Sequence, residues 1–419
     1  MILENSEMTK DKRTNIVEKS GIYLVILGGL NFPRGSAPTA RVHAYSKGII
    51  ENNGKVTIIC LKANLIKASE RTKLESEGII DGIKYIYSPG TTIRSDSFWG
   101  RRFLELKGLL NALKIIRRLN RQNKISAILF FSTTTLNEIL FAFYARFLNI
   151  PVIREKNEYP FVDRSTLWKK TIAYLHGKCI NKLFDGIIVI TKYLERYHKP
   201  LTRKDAKSIL VPILVDISRF EGHIFPHGNY KYVAYCGSPS GNKDGVPILI
   251  KAFSIISKKY KTIKLYIIGD APGTNVLQDL KNLAKKLDIE HKVIFTGRVD
   301  RDKMPAYLCN AAVLALARPT SLQAKGGFPT KLGEYLATGN PVVVTKVGEI
   351  PDYLKDGENA FLSEPDSVEA FAEKLDYVLS HPELAKKVGL KGREVAFKHF
   401  NYKTQAKRII NFIDELNQR

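Results

Sequence analysis

The run Gly326-Gly327-Phe328-Pro329-Thr330-Lys331-Leu332-Gly333-Glu334 brings together the residue types that can hold a nucleotide diphosphate. Glycines ahead of a helix start leave backbone N–H groups open, and the positive end of the helix favours an anion. Phe328 and Thr330 offer N–H groups, and Pro329 suits the first helical position, where its missing N–H costs nothing. Lys331 adds charge. Glu334 falls about one turn into the helix, where it can accept hydrogen bonds from ribose hydroxyls. The helix continues through Tyr335 and Leu336 and stops at Gly339, a common residue just past a helix end. Pro341 then opens the apolar strand Val342–Val344. The plainer reading is a well-capped αβ unit with a surface carboxylate and no ligand.

The elements that must position these residues alternate along the chain. In the first half, strands are predicted at Ile22–Leu27, Val56–Leu61, Ile83–Tyr87, Ala127–Phe131, Pro151–Arg154 and Gly186–Ile190. The helices between them include Ala40–Glu51, Phe103–Leu119, Leu136–Leu148 and Leu167–Leu183. A second series starts near Ser208, with strands at Ser208–Val211, Tyr232–Tyr235, Lys264–Ile268, Val293–Thr296, Ala312–Ala315, Val342–Thr345 and Ala360–Leu362. Strands alternating with helices imply parallel sheets. The mid-chain restart implies two α/β domains, and such pairs bind ligands in the cleft at the carboxyl ends of their strands. We expect a polar tail over 1–20, one domain over 21–203, a second over 204–396, and a C-terminal helical segment over 397–419.

Bulk properties narrow the partners. The 419 residues exceed one ordinary domain, and 44% hydrophobic content allows sizeable cores. Cys60, Cys179, Cys236 and Cys309 are far apart, with no metal-ligand spacing and no C-x-x-C pair, which fits reduced, buried thiols. The first twenty residues are polar and charged, unlike a signal peptide, and no apolar run is long enough to span a bilayer. The formal net charge of +25 points to an anionic partner. Cations cluster with apolar side chains between Phe98 and Arg121, including Arg101, Arg102, Lys107, Lys114, Arg117 and Arg118. That pattern fits a helix lying on an anionic membrane surface, or equally a solvated face with its apolar side in the core. No nucleic-acid signature accompanies the charge. A nicotinamide dehydrogenase is disfavoured, because Gly28-Gly29-Leu30-Asn31-Phe32-Pro33 is no G-x-G-x-x-G and no acidic residue ends the second strand.

Several motifs together resemble the family 4 retaining glycosyltransferases, which have the GT-B fold. Tyr235-Cys236-Gly237 followed by Lys243-Asp244-Gly245 is similar to that family's first phosphate loop. Gly297-Arg298-Val299 is similar to its loop beside the base, and Glu334 to Val344 to its second-glutamate helix. Val211-Pro212 with Val215-Asp216 resembles its interdomain segment. The resemblance implies two Rossmann-like doubly wound parallel-sheet domains facing a cleft, with the last helix crossing back onto the first domain. It also implies a donor site formed by Gly29, Gly237, Lys243, Gly297, Arg298, Val299, Phe328, Pro329, Thr330, Lys331 and Glu334. Two departures stand out. Gly326 occupies the place of the family's first glutamate, and Ser238 that of the arginine that commonly follows the first-loop glycine. Lys243 then becomes the leading phosphate cation, helped by Lys331 and Lys325.

In the first domain the resemblance places the acceptor. The loop after the first strand carries Gly29, Arg34, Ser36 and Arg41 toward the diphosphate. The strand-end run Arg154-Glu155-Lys156-Asn157-Glu158 lies where the family often carries a histidine. Glu155, Asn157 and Glu158 are the candidates to orient the acceptor hydroxyl or act as base. Salt bridges from these glutamates to basic neighbours are the alternative. The expected activity is transfer of a sugar, with retention and without a metal, from a nucleotide-sugar donor to a glycolipid or saccharide acceptor at the cytoplasmic face of a membrane. Two rivals stay open: a GT-B-type nucleotide-sugar epimerase, and a non-catalytic protein that binds anionic surfaces.

Overall fold

The computed structural model describes residues 21–33, 35, 37–63, 74–131, 133–158, 177–222, 232–239 and 241–418. The first sheet contains β1 (Tyr23–Gly28), β2 (Lys55–Cys60), β3 (Glu77–Ile80), β4 (Ile83–Tyr87), β5 (Ala127–Phe131), β6 (Val152–Lys156), β7 (Gly186–Val189) and β8 (Lys207–Leu210). Their order is β3-β4-β2-β1-β5-β6-β7-β8. All pairs are parallel except the β3–β4 hairpin at the edge. Every residue of β1 and β5 is buried, as central strands covered on both faces require.

Helices α1 (Ala37–Ile50), α2 (Phe98–Gln122) and α3 (Thr135–Phe147) link these strands. Val42, Tyr45 and Ile49 of α1 pack into a core on one face of the sheet. Ala112 and Ile116 of α2 join Phe141 and Ala145 of α3 in a core on the other. The helices therefore start at the carboxyl edge of the sheet and return toward its opposite edge.

The second sheet contains β9 (Tyr232–Cys236), β10 (Lys264–Ile268), β11 (Val293–Gly297), β12 (Val313–Leu316), β13 (Val342–Thr345) and β14 (Phe361–Ser363). It is wholly parallel, in the order β11-β10-β9-β12-β13-β14. That is the Rossmann order, and it reverses between β9 and β12, where such folds bind ligands. Among its helices are α5 (Val246–Ile256) and α6 (Thr330–Ala337); α4 (Lys192–His198) precedes them in the first domain and α7 (Tyr402–Asn417) ends the chain. Gly48 of α1 lies against Tyr402 and Ala406 of α7, and Gly186 lies against Phe412 and Leu416. The last helix thus crosses back onto the first domain, as expected.

Several expectations need correction. The strand near Ser208, read as the opening of the second series, pairs with β7 and closes the first sheet, so that sheet runs past the boundary expected at 203. The antiparallel edge strand β3 was not anticipated; two of its four residues are isoleucines, but neither is buried. Pro329 caps α6 from outside and Thr330 is the first helical residue. A short helix, Leu322–Gly326, occupies what reads as a glycine-rich turn, its Ser321 cap accepting from the Ala324 N–H at 3.0 Å. Most of the helix expected at Leu167–Leu183, and the tail 1–20, lie outside the described residues.

Candidate functional site

At the point where the second sheet reverses, the carboxyl ends of β9 and β12 open toward the N-terminus of α6. No side chain caps that helix end, and the first intrahelical bond, from Leu332 N–H to Pro329 O, is 3.0 Å. The Thr330 and Lys331 N–H groups therefore stand in the open first turn. Phe328 turns its ring into the core against Tyr353 and Phe400, at centroid distances of 5.4 and 5.6 Å. Gly237, after β9, donates its N–H to Ile268 O at 2.8 Å, while a Cβ on Gly269 would meet Gly237 O at 2.1 Å. The two strand ends approach so closely that only glycine fits at 269.

The cations expected around the diphosphate differ in their availability. The Lys331 ammonium is bonded to the Asp244 carboxylate and donates to Tyr235 Oη at 3.0 Å. Tyr235 in turn donates to Asp244 at 2.7 Å. Burial lowers the Lys331 pKa, and Asp244 opposes that shift. Lys331 also lies against Gly237, where a Cβ would come within 2.4 Å of its ammonium. The sequence reading of Lys331 as an open phosphate cation is thus corrected: its charge is already matched inside the loop. Lys243, from the short helix Gly241–Asp244, pairs with Glu158 of the first domain at 2.8 Å. Those side chains are 40% and 60% exposed. An exposed pair contributes about 0–1 kcal/mol, so a diphosphate can displace it.

Arg318, two residues past β12, is a cation that the sequence reading missed. It is 2% exposed, donates to Gln323 O at 3.2 Å, and leaves its Nε without a hydrogen-bond partner among the described residues. Its guanidinium faces Gly327, and burial lowers its pKa against the pull of Asp244 and Glu158. A buried guanidinium with an unused donor is costly unless a further acceptor arrives. The only sequence signal was its place at a strand end of the second sheet.

Glu334 projects from α6 with 30% of its side chain exposed and accepts from Arg219 at 2.8 Å. Arg219 also donates to Arg301 O at 2.8 Å, so it ties the interdomain segment to the loop after β11. Gly297 ends β11 with φ +66°, Arg298 is exposed, and Val299 packs partly against the core. Glu334 is joined to Arg219 by a hydrogen bond, and Arg219 in turn reaches Arg301, four residues past Gly297.

On the first domain the three acceptor candidates separate. Glu155 is buried, with one oxygen bonded to Arg41 and the other accepting from Tyr45 Oη at 3.2 Å. Arg41 further donates to Val211 O at 2.8 Å and Pro212 O at 2.5 Å. Both residues are therefore corrected to structural roles: Glu155 and Arg41 are buried and bonded to protein groups, and together they fix the interdomain segment to β6. Glu158 reaches Lys243 across the cleft. Asn157 lies in the cleft with its carbonyl 3.9 Å from a Cβ placed on Gly327, and its buried Oδ1 has no partner among the described residues. Gly29 stands at the end of β1 on the same edge, half-buried, and Arg34 and Ser36 lie outside the described residues. Thr191, capping α4, donates to Gly326 O at 3.1 Å. The position lacking the family's first glutamate is thereby held by the first domain through its backbone.

Residues 223–395 match the model of a family described as glycosyl transferases group 1, which bears out the motif resemblance over the second domain. The chain is similar to the GDP-mannose-dependent alpha-(1-6)-phosphatidylinositol monomannoside mannosyltransferase of Mycolicibacterium smegmatis, 26% identical over 184 residues, covering 43% of this chain and 47% of that protein. It is 29% identical over 153 residues to the N-acetyl-alpha-D-glucosaminyl L-malate synthase of Bacillus anthracis, covering 36% of this chain and 37% of that one. The chain spans about half the length of the curated relatives it matches, or less. In structure it resembles sucrose-phosphate synthase from Thermosynechococcus elongatus, with TM-score 0.73, 16% identity, and coverage of 95% of this chain and 99% of that one. It also resembles Anabaena HepE in complex with UDP and glucose, with TM-score 0.67, 15% identity, and coverage of 94% and 99%. The fold is GT-B.

Proposed function

We propose, from a GT-B chain whose second domain matches the glycosyl transferases group 1 family, that the protein moves a sugar from a nucleotide-sugar donor to an acceptor hydroxyl. The observation that carries this is the meeting of two strand edges. The uncapped start of α6 faces the Gly237 loop on one side and Asn157 of the first domain on the other. The donor's ribose is assigned to Glu334 and its diphosphate to the Thr330 and Lys331 N–H groups, Lys243 and Arg318. Arg318 takes the place of the arginine absent at Ser238. In the transition state charge grows on the leaving diphosphate; the fixed N–H donors and the buried Arg318 stabilise that charge without reorganising, and Lys243 adds its charge once it leaves Glu158. Asn157 and Glu158 are assigned to the acceptor side, and the unpartnered Asn157 Oδ1 supports a role in accepting from the attacking hydroxyl.

The finer reading is a family 4 enzyme acting with retention and without a metal on a lipid-linked or polysaccharide acceptor. The mycobacterial relative, named for a phosphatidylinositol monomannoside, supports a glycolipid, and HepE, solved with UDP-glucose, supports a nucleoside-diphosphate donor. The test is turnover with a panel of UDP- and GDP-sugars and a membrane-lipid extract, in EDTA. The expected result is nucleoside diphosphate released together with a sugar-bearing lipid whose anomeric configuration matches the donor. Conversion of the donor without an acceptor would favour the epimerase reading. Donor binding with no turnover would favour the non-catalytic one.

A further inference from the structure

The solvent side of the first domain is not an ordinary polar surface. On α2, Trp99, Phe103, Leu106 and Leu110 recur at helical spacing on the side opposite the buried Ala112 and Ile116. On α3, Leu136, Leu140, Phe143 and Phe147 form a second stripe, opposite the buried Phe141 and Ala145. Each of these eight side chains is between 39% and 80% exposed. The two helices are neighbours over one core, with Tyr144 Oη of α3 donating to Leu113 O of α2 at 3.2 Å. Only one side of α3 is therefore buried in the core.

Cations frame these stripes. Lys107, Lys114, Arg117, Arg118 and Arg121 are exposed on the same side of α2, and none is ion-paired to a described residue. Where α2 begins, a cavity of about 200 Å³ has Lys62, Arg94, Ser95, Arg101, Arg102 and Glu105 among its lining, beside three apolar residues. Glu105 accepts from Arg102 at 2.6 Å and lies 3.9 Å from Lys62, so one carboxylate faces four cations. The cavity opens at the carboxyl edge of the first sheet. The Leu61 N–H donates to Gly28 O at 2.9 Å, which puts Lys62 beside the loop that faces the cleft.

We propose that α2 and α3 together form a membrane-docking face, and that the cavity at the start of α2 takes the phosphate of an anionic lipid headgroup. Large apolar side chains exposed in two adjacent stripes favour transfer into the acyl boundary. The surrounding unmatched cations favour phosphate-bearing lipids over a neutral surface or an apolar protein partner. The placement delivers a lipid-linked acceptor to the cleft edge, and in that respect it rests on the proposed transfer. Docking itself is tested without turnover.

The experiment is sedimentation of the full chain with phosphatidylcholine vesicles and with vesicles containing phosphatidylglycerol, at low and high salt. Three paired variants are compared: Phe143→Ser with Phe147→Ser, Arg94→Gln with Arg102→Gln, and, as a charge control on the second domain, Lys258→Gln with Lys285→Gln. The parent should prefer the anionic vesicles. The arginine pair should weaken that binding roughly 30-fold, from about 1 kcal/mol per cation. The phenylalanine pair should weaken it by at least about tenfold, through lost apolar burial, and the control should not change it. All variants should keep the parent's thermal shift with nucleotides, which separates a failure here from a failure of the donor site. Three results would overturn the proposal: no binding of the parent to anionic vesicles, full binding by the phenylalanine pair, or equal losses in the arginine pair and the control. If the arginine pair loses only a response to inorganic phosphate and still binds vesicles, the cavity is a soluble-anion site and the headgroup assignment fails.

Discussion

Lys331 of α6 and Asp244 of the Gly237 loop form a buried ion pair, with side chains 15% and 6% exposed, and Tyr235 bonds to both. The pair locks the cradle helix to the end of β9. Breaking a buried pair leaves a charge without its partner, which costs about 3–5 kcal/mol. Asp244→Ala is therefore expected to lower unfolding stability by about that amount in urea titration. A loss below about 1 kcal/mol, the range of exposed pairs, would show that solvent already screens this contact.

Arg318 is expected to discriminate the phosphates of the donor. Its guanidinium faces Gly327 and donates to Gln323 O, but its Nε has no partner among the described residues and is assigned to the diphosphate. Arg318→Gln should weaken nucleoside diphosphate binding by about 1.5–3 kcal/mol, the range for charged hydrogen bonds, and leave nucleoside binding unchanged. Equal losses for both ligands in calorimetry would mark the substitution as a general disturbance of the loop.

Stability should depend on pH through His198. The residue is buried at the end of α4, and its pKa is pushed down to about 3 by burial and by the nearby Lys156 and Arg154. Its Nδ1 lies 3.4 Å from Asn181 Nδ2, and its Nε2 has no partner among the described residues. Between its ordinary pKa of 6.5 and about 3, the unfolded chain binds a proton that the folded chain refuses. Stability is therefore complete above pH 6.5 and falls as the pH drops through that window, with a limiting slope of about 1.4 kcal/mol per pH unit. Urea midpoints for His198→Gln should fall less steeply than those of the parent over this range. Parallel curves would mean that the histidine takes up its proton in the fold.

The sequence made the strands and their covering helices legible, because apolar runs such as Ala127–Phe131 and Val342–Thr345 have no polar interruption. It did not show which sheet Lys207–Leu210 joins, since a strand's composition reports burial and not its partner. The site divides in the same way. Glu334 and the start of α6 are local features, set by Pro329 and the helical spacing. The pairings that decide which charges are free are not local. Lys331 and Asp244 are 87 positions apart, and Arg41 and Glu155 are 114 apart. Arg318 sits in Ala317-Arg318-Pro319, which carries no pattern of its own. Only the fold shows that its guanidinium lies inside the cleft.

The most direct test of the account is calorimetric titration of UDP and GDP into the parent and Glu334→Gln, with Glu358→Gln as an exposed control. Glu334 is the one carboxylate assigned to the nucleotide, and it stands half-exposed beside Arg219. The expected result is saturable binding of at least one nucleotide by the parent. Glu334→Gln should weaken it by about 1.5–3 kcal/mol, and the control should match the parent. Equal affinity in the parent and Glu334→Gln, or no nucleotide binding by the parent, would contradict the assignment of this cleft to a nucleotide-sugar donor.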